Sequence, residues 1–540
     1  MLARIRLIAF SLLAGLALAC GTVPGEPSGP GTGSSACVTD LSCSFSEECD
    51  GTACAAIAPA LRSHIQTASC LLRAPLDANE EPWRDAHFDL LIGVPDANGA
   101  RAINPHVRLF EYVMARYNNF DKPNLTKTAM QWASDHGYDG EDFYLHYKED
   151  TNVPTWENKT IVPGFPYGVV PGWVPNGPKT GASALTRSQS RVIGYYGGDP
   201  NPVYLANVGN PGYRAFIDAY VEGLMDGTWW YNQKFASGPV GGVLVDEAIW
   251  YPVYGEGVLN HSTEYYGIPV NDSHPYSYAI ENMFPQLAAD MKDHFGATKD
   301  IMPNYGHVLF LNFANRCAQN IQKTTPWIYG EVWATYTGTS SPTSGGNRCI
   351  TEDYDYDEAV RQIIYQTRAG GRRVVGARDY SNGSSGTDRG KILSLGLYYL
   401  VHNSHTYYMY ETLIGHAGSG NIATWGYNPA VDFDIGQPMP VPNGMTDFEG
   451  KTNTKEHYLF ASGPDPVNNS LTYHVWGRRF TNALVLVKLL PAGSTTDNAS
   501  ITTHMLDGTY MPLNVDGTVG APVTQVSLRN NEALILIPAN

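Results

Sequence analysis

Three acidic residues stand out by their position in the chain. Asp246 and Glu247 end the segment 241–247, Gly-Gly-Val-Leu-Val-Asp-Glu, whose other residues are all uncharged. Glu331 lies in the segment 327–333, Trp-Ile-Tyr-Gly-Glu-Val-Trp, with aromatic residues on both sides and no Lys or Arg close in sequence. Burying a carboxylate costs free energy unless it is paired or used, so these acids are candidates for chemistry. A structural role at the start of a loop is the alternative for each.

Successive residues of a strand point to opposite sides, so Asp246 and Glu247 would not face the same cleft. We predict that Asp246 is catalytic and that Glu247 orients it or binds a substrate hydroxyl. Asp246 and Glu331, facing each other among Trp and Tyr rings, would match what cleavage of a glycosidic bond requires. One acid protonates the leaving oxygen, and the other attacks the anomeric carbon or activates water. The chain has 34 Tyr and 11 Trp, and such rings stack on sugars and exclude water.

The elements that would carry these acids belong to an alternation of apolar strand-like runs and helical stretches, which is typical of a parallel α/β fold. Strand-like runs begin near residues 88, 107, 203, 241, 300, 326, 373 and 406, and eight is the strand count of a (β/α)8 TIM barrel. We predict this barrel over 85–420, with 150–200 as a long loop over one face. Its active site would lie at the C-terminal ends of the strands, where Asp246 ends the fourth and Glu331 lies near the end of the sixth.

From about residue 457 the pattern changes to short β runs separated by turns. The runs are 471–476, 483–489, 501–506 and 533–537, and Asp507-Gly508 and Asp516-Gly517 are turn dipeptides. We predict a C-terminal antiparallel β-sandwich over 455–540.

Further residues near the ends of the predicted strands are candidates for binding substrate. They are Glu111 and Tyr112 on the second strand, Asn304 and Tyr305 on the fifth, Trp333 beside Glu331, Asp379 on the seventh and Tyr408 on the eighth. Simpler alternatives are a turn role for Asn304, pairing with a neighbouring arginine for Asp379, an outward salt bridge for Glu111, and packing for the tyrosines.

The sequence lacks the motifs that mark several other classes of enzyme. The chain has no G-x-x-x-x-G-K-[ST], H-E-x-x-H or G-x-S-x-G sequence, and no nucleotide-binding Gly fingerprint follows the first strand. We therefore predict no cofactor and no metal. Acids that bind a metal for phosphoester or deacetylation chemistry are an alternative, but no His cluster lies near Asp246. The acidic run 353–358 fits a helix start better than a calcium site.

Composition limits the partners. With 35 Lys plus Arg against 52 Asp plus Glu, the formal net charge is −17, which disfavours binding to nucleic acid and to anionic lipid. A hydrophobic content of 43% over 540 residues allows large cores and excludes wholesale disorder. The expected partner is a poly- or oligosaccharide, bound by a monomer.

The first 20 residues read as an export signal, because a basic start precedes an apolar run too short to span a bilayer. Residues 16–20, Leu-Ala-Leu-Ala-Cys, resemble a bacterial lipobox, although Ala17 replaces its usual bulky aliphatic residue. This resemblance implies lipidation of Cys20 and a lipid-anchored protein at the cell surface. Ordinary cleavage near Ala19 and secretion are the alternative.

Cysteine usage agrees with export. After a spacer at 21–36, four cysteines follow a C-x5-C-x5-C-x4-C pattern in a small segment, 37–70, which resembles Cys-rich modules of myxobacterial surface proteins. They are Cys37, Cys43, Cys49 and Cys54, and we expect two disulfides among them, with a metal site as the competing interpretation. Cys317 and Cys349 would form a third disulfide, which leaves Cys70 as a buried free thiol.

From about residue 88 to the C-terminus, the motifs resemble those of a family of bacterial TIM-barrel glycosyl hydrolases. Residues 104–107 resemble its NP-x-V lead into the second strand, 204–212 the stretch before the helix that precedes its acidic strand, 241–247 its DG-x-x-x-DE strand, 330–333 its later Glu-bearing strand, and 476–483 the start of its terminal sandwich. The chain departs from the family at Gly241, where an acid is usual, and in the insertion 150–200.

More distant barrels, such as α-galactosidases and endo-α-1,4-polygalactosaminidases, use the acid on strand four as nucleophile and the acid on strand six as acid/base. This resemblance implies that Asp246 is the nucleophile and Glu331 the proton donor of a retaining hydrolase of α-linked sugars. The alternative is a non-catalytic glycan-binding or adhesion lipoprotein, in which the two carboxylates would lie more than about 10 Å apart.

Overall fold

The structure is a computed structural model. It describes residues 47–49, 54–56, 61–62, 64–70, 80–94, 96–114, 117–118, 125–144, 193–194, 203–207, 210–226, 238–246, 289–290, 293–294, 300–303, 327–336, 360, 363, 367, 371–379, 388–412, 427–445, 457–491 and 500–539. In some strand segments, among them 331–336, 378–379 and 411–412, only the backbone is described.

The described strands and helices are numbered in chain order. The strands are β1 (Glu47–Cys49), β2 (Cys54–Ala56), β3 (Gln66–Cys70), β4 (Leu90–Ile92), β5 (Arg108–Met114), β6 (Tyr117–Asn118), β7 (Ile193–Gly194), β8 (Val203–Leu205), β9 (Gly242–Asp246), β10 (Asp300–Pro303), β11 (Trp327–Tyr336), β12 (Arg372–Asp379), β13 (Thr406–Thr412), β14 (Tyr458–Pro464), β15 (Thr472–Phe480), β16 (Ala483–Lys488), β17 (Ile501–Pro512), β18 (Val523–Arg529) and β19 (Glu532–Pro538). The helices are α1 (Glu80–His87), α2 (Ala97–Ile103), α3 (Leu125–Asp135), α4 (Pro211–Asp226) and α5 (Asp388–Val401), with short 3-10 turns at Gly140–Phe143 and Pro429–Asp432.

Eight of these strands form one parallel sheet in the order β10-β9-β5-β4-β3-β13-β12-β11. Strands that follow one another in the chain therefore lie side by side, as in a (β/α)8 fold. The two edge strands, β10 and β11, contact each other, which brings the sheet round into a nearly closed barrel. The predicted barrel is confirmed, with Asp246 on its fourth strand and Glu331 on its sixth.

The barrel begins earlier than the predicted residue 85. Its first strand, β3, lies inside the predicted Cys-rich segment 37–70, and all five of its residues are buried. The sequence Gln-Thr-Ala-Ser-Cys contains no apolar run, so hydrophobicity does not reveal this strand. The polar groups of Thr67 are satisfied by a neighbour instead, because Asp89 accepts hydrogen bonds from its backbone N–H at 2.8 Å and from its Oγ1 at 3.1 Å.

The predicted third barrel strand, at 203–208, lies elsewhere. β8 pairs antiparallel with β6 and β7 in a separate three-stranded sheet. Its Val-Tyr-Leu run is as apolar as a barrel strand, so composition alone does not distinguish the two. Because one strand was missed and another was assigned wrongly, the count of eight and the positions of Asp246 and Glu331 in it are unchanged.

Large side chains fill the interior of the barrel. The Trp327 ring contacts the rings of Phe110 and Tyr407, with centroids 5.2 Å apart in each pair. Tyr329 donates a hydrogen bond from Oη to Sδ of Met409 at 3.5 Å. These contacts join β5, β11 and β13 across the interior, so residues at the C-terminal ends of the strands stand on a packed core and not over a pore.

The C-terminal domain is a six-stranded antiparallel sheet in the order β14-β15-β16-β19-β17-β18. β17 pairs with β18 through its first half and with β19 through its last residues, and the register shifts between Met505 and Tyr510. Through this irregular strand the sheet folds over itself, and Leu484 and Leu536 share a core with Leu528. The predicted turn at Asp507-Gly508 lies inside β17 at this shift, whereas Gly517 does form a turn, with φ 81°.

Helix α5 lies between the barrel and the C-terminal sheet. One core contains Leu395 and Tyr399 of α5 together with Val375 of the barrel and Val487 of the C-terminal sheet. Arg478 of β15 donates two hydrogen bonds of 2.9 Å from Nη1 to the carbonyl oxygens of residues 399 and 400, which lie at the C-terminal end of the helix. These carbonyls have no partner within a helix, so the sheet completes α5 and joins the domains.

The predicted disulfides involve cysteines of which the structure describes only a few. β1 and β2 form a hairpin in which Cys49 stands opposite Cys54. The side chains of this pair, and the whole of Cys20, Cys37, Cys43, Cys317 and Cys349, lie outside the described residues. Cys70 is buried and forms no disulfide, as predicted. None of the described helices has the length and apolar composition needed to cross a membrane.

Candidate active site

Asp246 is the last residue of β9, at the C-terminal end of the fourth barrel strand. The strand lies between β5 and β10, and all five of its residues are buried. Only 9% of the Asp246 surface is exposed. A buried carboxylate at this end of a TIM barrel occupies the position from which such barrels carry out chemistry.

Tyr112 contacts this carboxylate directly. Its Oη donates a hydrogen bond to Oδ2 of Asp246, and both side chains are buried. The register accounts for the contact, because Tyr112 pairs with Leu244 and Met114 pairs with Asp246. Tyr112 therefore lies two residues below Asp246 on the same inner face of the sheet. The structure brings together two predicted site residues that are 134 positions apart in the chain.

The backbone of Glu331 lies in β11, the sixth barrel strand. β11 pairs with β12 in register up to Gly330, and the pairing then shifts before Ala334. Glu331 follows Gly330 directly, so it stands where the strand becomes irregular, and such irregularities often border active sites. The sequence predicts Glu331 near the end of this strand, but β11 continues to Tyr336, so Glu331 lies in its middle. The Glu331 side chain lies outside the described part of the molecule.

Two residues predicted to bind substrate lie on the outer face of the barrel. Glu111 alternates with Tyr112 and is buried on the side opposite Asp246. The hydroxyl of Tyr408 is 2.8 Å from Oγ of Ser394 on α5, so this ring belongs to the layer between barrel and helix. Neither position supports contact with a substrate at the mouth of the barrel, and the strand alternation is the reason.

The other predicted substrate-binding residues are described in part or not at all. Glu247, Asn304 and Tyr305 lie outside the described residues. Trp333 and Asp379 are placed by their backbone alone, Trp333 in β11 and Asp379 at the end of β12, where it pairs with Thr412. Their roles stay predictions.

A polar cluster that the sequence does not reveal lies before the first residues of β3 and β4, at the N-terminal end of the barrel. Arg62 donates to Oδ1 of Asp432 at 2.7 Å through Nε and to Oη of Tyr427 at 3.0 Å through Nη2. The burial of Tyr427 raises the pKa of its hydroxyl. The partners are 365 or more positions apart, and no local pattern signals their contact. This end of a TIM barrel serves stability, so we assign the cluster no chemistry.

No group of three or more His, Cys, Asp or Glu side chains within the described ranges is arranged to hold a metal ion. Among the described residues, the surroundings of Asp246 include the phenol of Tyr112 and a packed apolar floor. Such a set can move protons and stabilise charge through side chains.

Comparisons with known proteins give structural similarities at very low identity. A glucosidase from Croceicoccus marinus is 8% identical, with a TM-score of 0.34 over 89% of this chain and 96% of the other. Ega3 of Aspergillus fumigatus, solved with galactosamine, is 11% identical, with a TM-score of 0.31 over 66% and 93%. The trehalulose synthase MutB is 11% identical, with a TM-score of 0.44 over 89% and 100%.

No family model matches the chain, and no curated protein matches it. The TM-scores above all lie below 0.5, so the assignment of the fold rests on the strand order and pairing of the barrel itself. The resemblance to a particular family of glycosyl hydrolases stays a prediction from the motifs.

Proposed function

We propose that the protein is a glycoside hydrolase that acts on a poly- or oligosaccharide. The observation that carries the proposal is the buried carboxylate of Asp246 at the C-terminal end of the fourth barrel strand, in contact with Tyr112. Charged side chains are kept in such a place at a cost in free energy, and a role in chemistry accounts for that cost.

Glu331 is the proposed partner of Asp246. Only β10 lies between β9 and β11 around the barrel, so two strand spacings, together about 10 Å, separate the strands that carry the two acids. From such strands, two side chains that lean toward the axis would meet the separation of about 5–10 Å that glycosidases use. In the proposed reaction Asp246 attacks the anomeric carbon, while Glu331 protonates the leaving oxygen and then activates water. The resemblance to barrels with the same acids supports retention and α-linked substrates.

The test is hydrolysis of a polysaccharide panel by the wild-type protein and by Asp246→Asn and Glu331→Gln. We expect each variant to lower kcat by about a hundredfold or more with an unchanged melting temperature. Asp516→Asn, which alters an exposed turn of the C-terminal sheet, is the control and should keep full activity. NMR of the first products gives their anomeric form and so decides between retention and inversion.

Wild-type turnover in either variant, on a substrate that the wild type hydrolyses, would contradict the proposal. Binding of a glycan without hydrolysis by the wild type would favour the glycan-binding lipoprotein instead.

We also propose that the protein is exported and held at the cell surface through Cys20. The support is the lipobox-like segment 16–20 and the Cys-rich segment that follows it. Labelling of the expressed protein with an alkyne fatty acid tests this, because Cys20→Ser should abolish the label.

A further inference from the structure

We propose that Tyr112 is a positioning residue that keeps Asp246 ionised and in one orientation, which makes Asp246 the anionic partner of the reaction and not its proton donor. This inference rests on the proposed function. The contact between Tyr112 and Asp246 gives a physical reason for Asp246 to be the nucleophile and Glu331 the proton donor, whereas the family resemblance assigns these roles only by analogy.

The hydrogen bond between Tyr112 and Asp246 has a defined direction. Tyr112 Oη donates to Oδ2 of Asp246. A hydrogen bond donated to a carboxylate favours the charged form, whereas burial favours the neutral acid. Only 7% of Tyr112 and 9% of Asp246 are exposed, so water competes little for this bond. In so dry an environment, a fixed donor has a large effect on the charge of the acid.

The strand that carries Tyr112 holds this donor in a fixed position. Tyr112 belongs to a strand paired on both sides, with β4 and β9 as neighbours. Phe110, two residues earlier on the same face, is packed against Trp327 in the core of the barrel. The ring of Tyr112 thus stands on a closed layer and holds the carboxylate from one side. A nucleophile needs such fixed alignment toward the atom that it attacks.

Other titratable groups share the inner face and are part of the same electrostatic environment. By register they are Cys70 of β3, Arg108 of β5, Asp300 of β10, Tyr329 of β11, Arg372 and Arg378 of β12, and Tyr407 and Glu411 of β13, and Glu331 follows in β11. Arg108 and Arg372 lie over the ring of Trp327 at the first rung of their strands, away from Asp246. Among the described side chains of this face, Tyr112 donates a hydrogen bond directly to the Asp246 carboxylate, so Tyr112 is the residue to substitute.

The experiment is the pH dependence of kcat/KM for Tyr112→Phe. A nucleophile must be ionised, so activity falls on the acidic side as Asp246 takes up a proton. Without the donated bond, the acidic limb should move to higher pH by about one unit, which is about a tenfold loss of kcat/KM below that limb. The loss should be smaller at the alkaline end, where the carboxylate is ionised in both proteins.

Tyr408→Phe is the matched control, because it also removes a buried hydroxyl from a barrel strand, but one that contacts Ser394 on the outer side. It should leave the acidic limb in place. An unshifted limb in Tyr112→Phe, with Asp246→Asn inactive, would overturn this inference and leave the proposed function intact. Activity in Asp246→Asn would overturn both.

A second measurement needs no substrate. The carboxyl carbon of Asp246 can be titrated by NMR in protein labelled with carbon-13 aspartate, with Asp246→Asn to assign the signal. We expect Tyr112→Phe to raise the pKa of Asp246, and an equal pKa in both proteins would contradict the inference. If the phenylalanine variant unfolds, 3,5-difluorotyrosine at position 112 keeps the shape with a stronger donor and should lower that pKa.

Discussion

Gly242 and Gly241 are neighbours in the chain, but a side chain would have space at Gly241 and not at Gly242. A Cβ on Gly242 would lie 2.7 Å from Cε1 of Phe110 and would also meet the backbone oxygen of Asp300. A Cβ on Gly241 would meet only the backbone oxygen of Leu109, at 3.7 Å. The missing side chain at 242 therefore lets Phe110 fill the barrel below the candidate site.

We expect Gly242→Ala to lower the free energy of unfolding by about 1–3 kcal/mol, the usual cost of overpacking a core. Gly241→Ala should change it by less than about 0.5 kcal/mol. Urea unfolding of the two variants and the wild type measures the difference. Equal effects at the two glycines would show that neither the Phe110 ring nor the Asp300 backbone limits the residue at 242.

At the scale of elements, α5 is the connection between the barrel and the C-terminal sheet. Gly396 lies in the helix interior, where alanine is normally better by about 1 kcal/mol. A Cβ there would lie 2.5 Å from Cβ of Ala533 on β19 and 3.3 Å from Cγ2 of Val487 on β16. The close approach of helix and sheet reverses the normal preference.

Gly396→Ala should therefore destabilise the protein by about 1–3 kcal/mol. Ala533→Gly removes the opposing methyl group, so the double variant should regain much of that loss. A double-mutant cycle by urea unfolding measures the coupling. Strictly additive effects of the two substitutions would mean that residues 396 and 533 are not in contact.

At the scale of the whole molecule, the joint between the domains contains buried histidines. His457 donates from Nδ1 to the carbonyl oxygen of Leu400 at 3.2 Å, and His402 lies at the same end of α5. Burial, with the nearby charge of Arg478, lowers the pKa of His457 to about 3 and that of His402 well below its usual value of 6.5. Both are therefore neutral in the folded protein.

These two histidines make the folded protein less stable in acid. Above about pH 6.5 both histidines are neutral in the folded and unfolded chains, and their contribution to stability is complete. As the pH falls below 6.5, only the unfolded chain takes up protons, so each histidine costs about 1.4 kcal/mol of stability per pH unit, down to about pH 3 for His457.

Urea unfolding between pH 7 and 4.5 should show a shallower loss of stability for His457→Gln than for the wild type. His106→Gln, at an exposed position, is the control and should keep the wild-type slope. Identical slopes in all three proteins would contradict the lowered pKa of His457 in the folded protein.

Much of the barrel can be predicted from local patterns. The run before Asp246 is uncharged and β-branched because its strand is buried on both faces, and that pattern identifies β9 directly. β3 escapes prediction because its Gln-Thr-Ala-Ser-Cys sequence has only the small side chains of Ala68 and Cys70 in the hydrophobic core, while the buried Thr67 bonds to Asp89. β8 misleads prediction in the opposite way, because its apolar run looks like a barrel strand but lies in a small antiparallel sheet.

Local sequence patterns predict the alternation of strands and helices, the acid at the end of a buried barrel strand and the antiparallel C-terminal domain, because each follows from the order of residues over a short stretch. That this strand is the fourth of the barrel follows from the strand pairing, in which β3 takes part and β8 does not. Only the tertiary structure decided that Tyr112 contacts Asp246 while Glu111 and Tyr408 face outward. The contact of Tyr112 with Asp246 depends on the register of two strands whose contacting residues are 134 positions apart, and that register is set by packing and leaves no local trace in the chain. Glu111 and Tyr408 face outward because side chains alternate along a strand, so the faces of a strand are known only once its register is known.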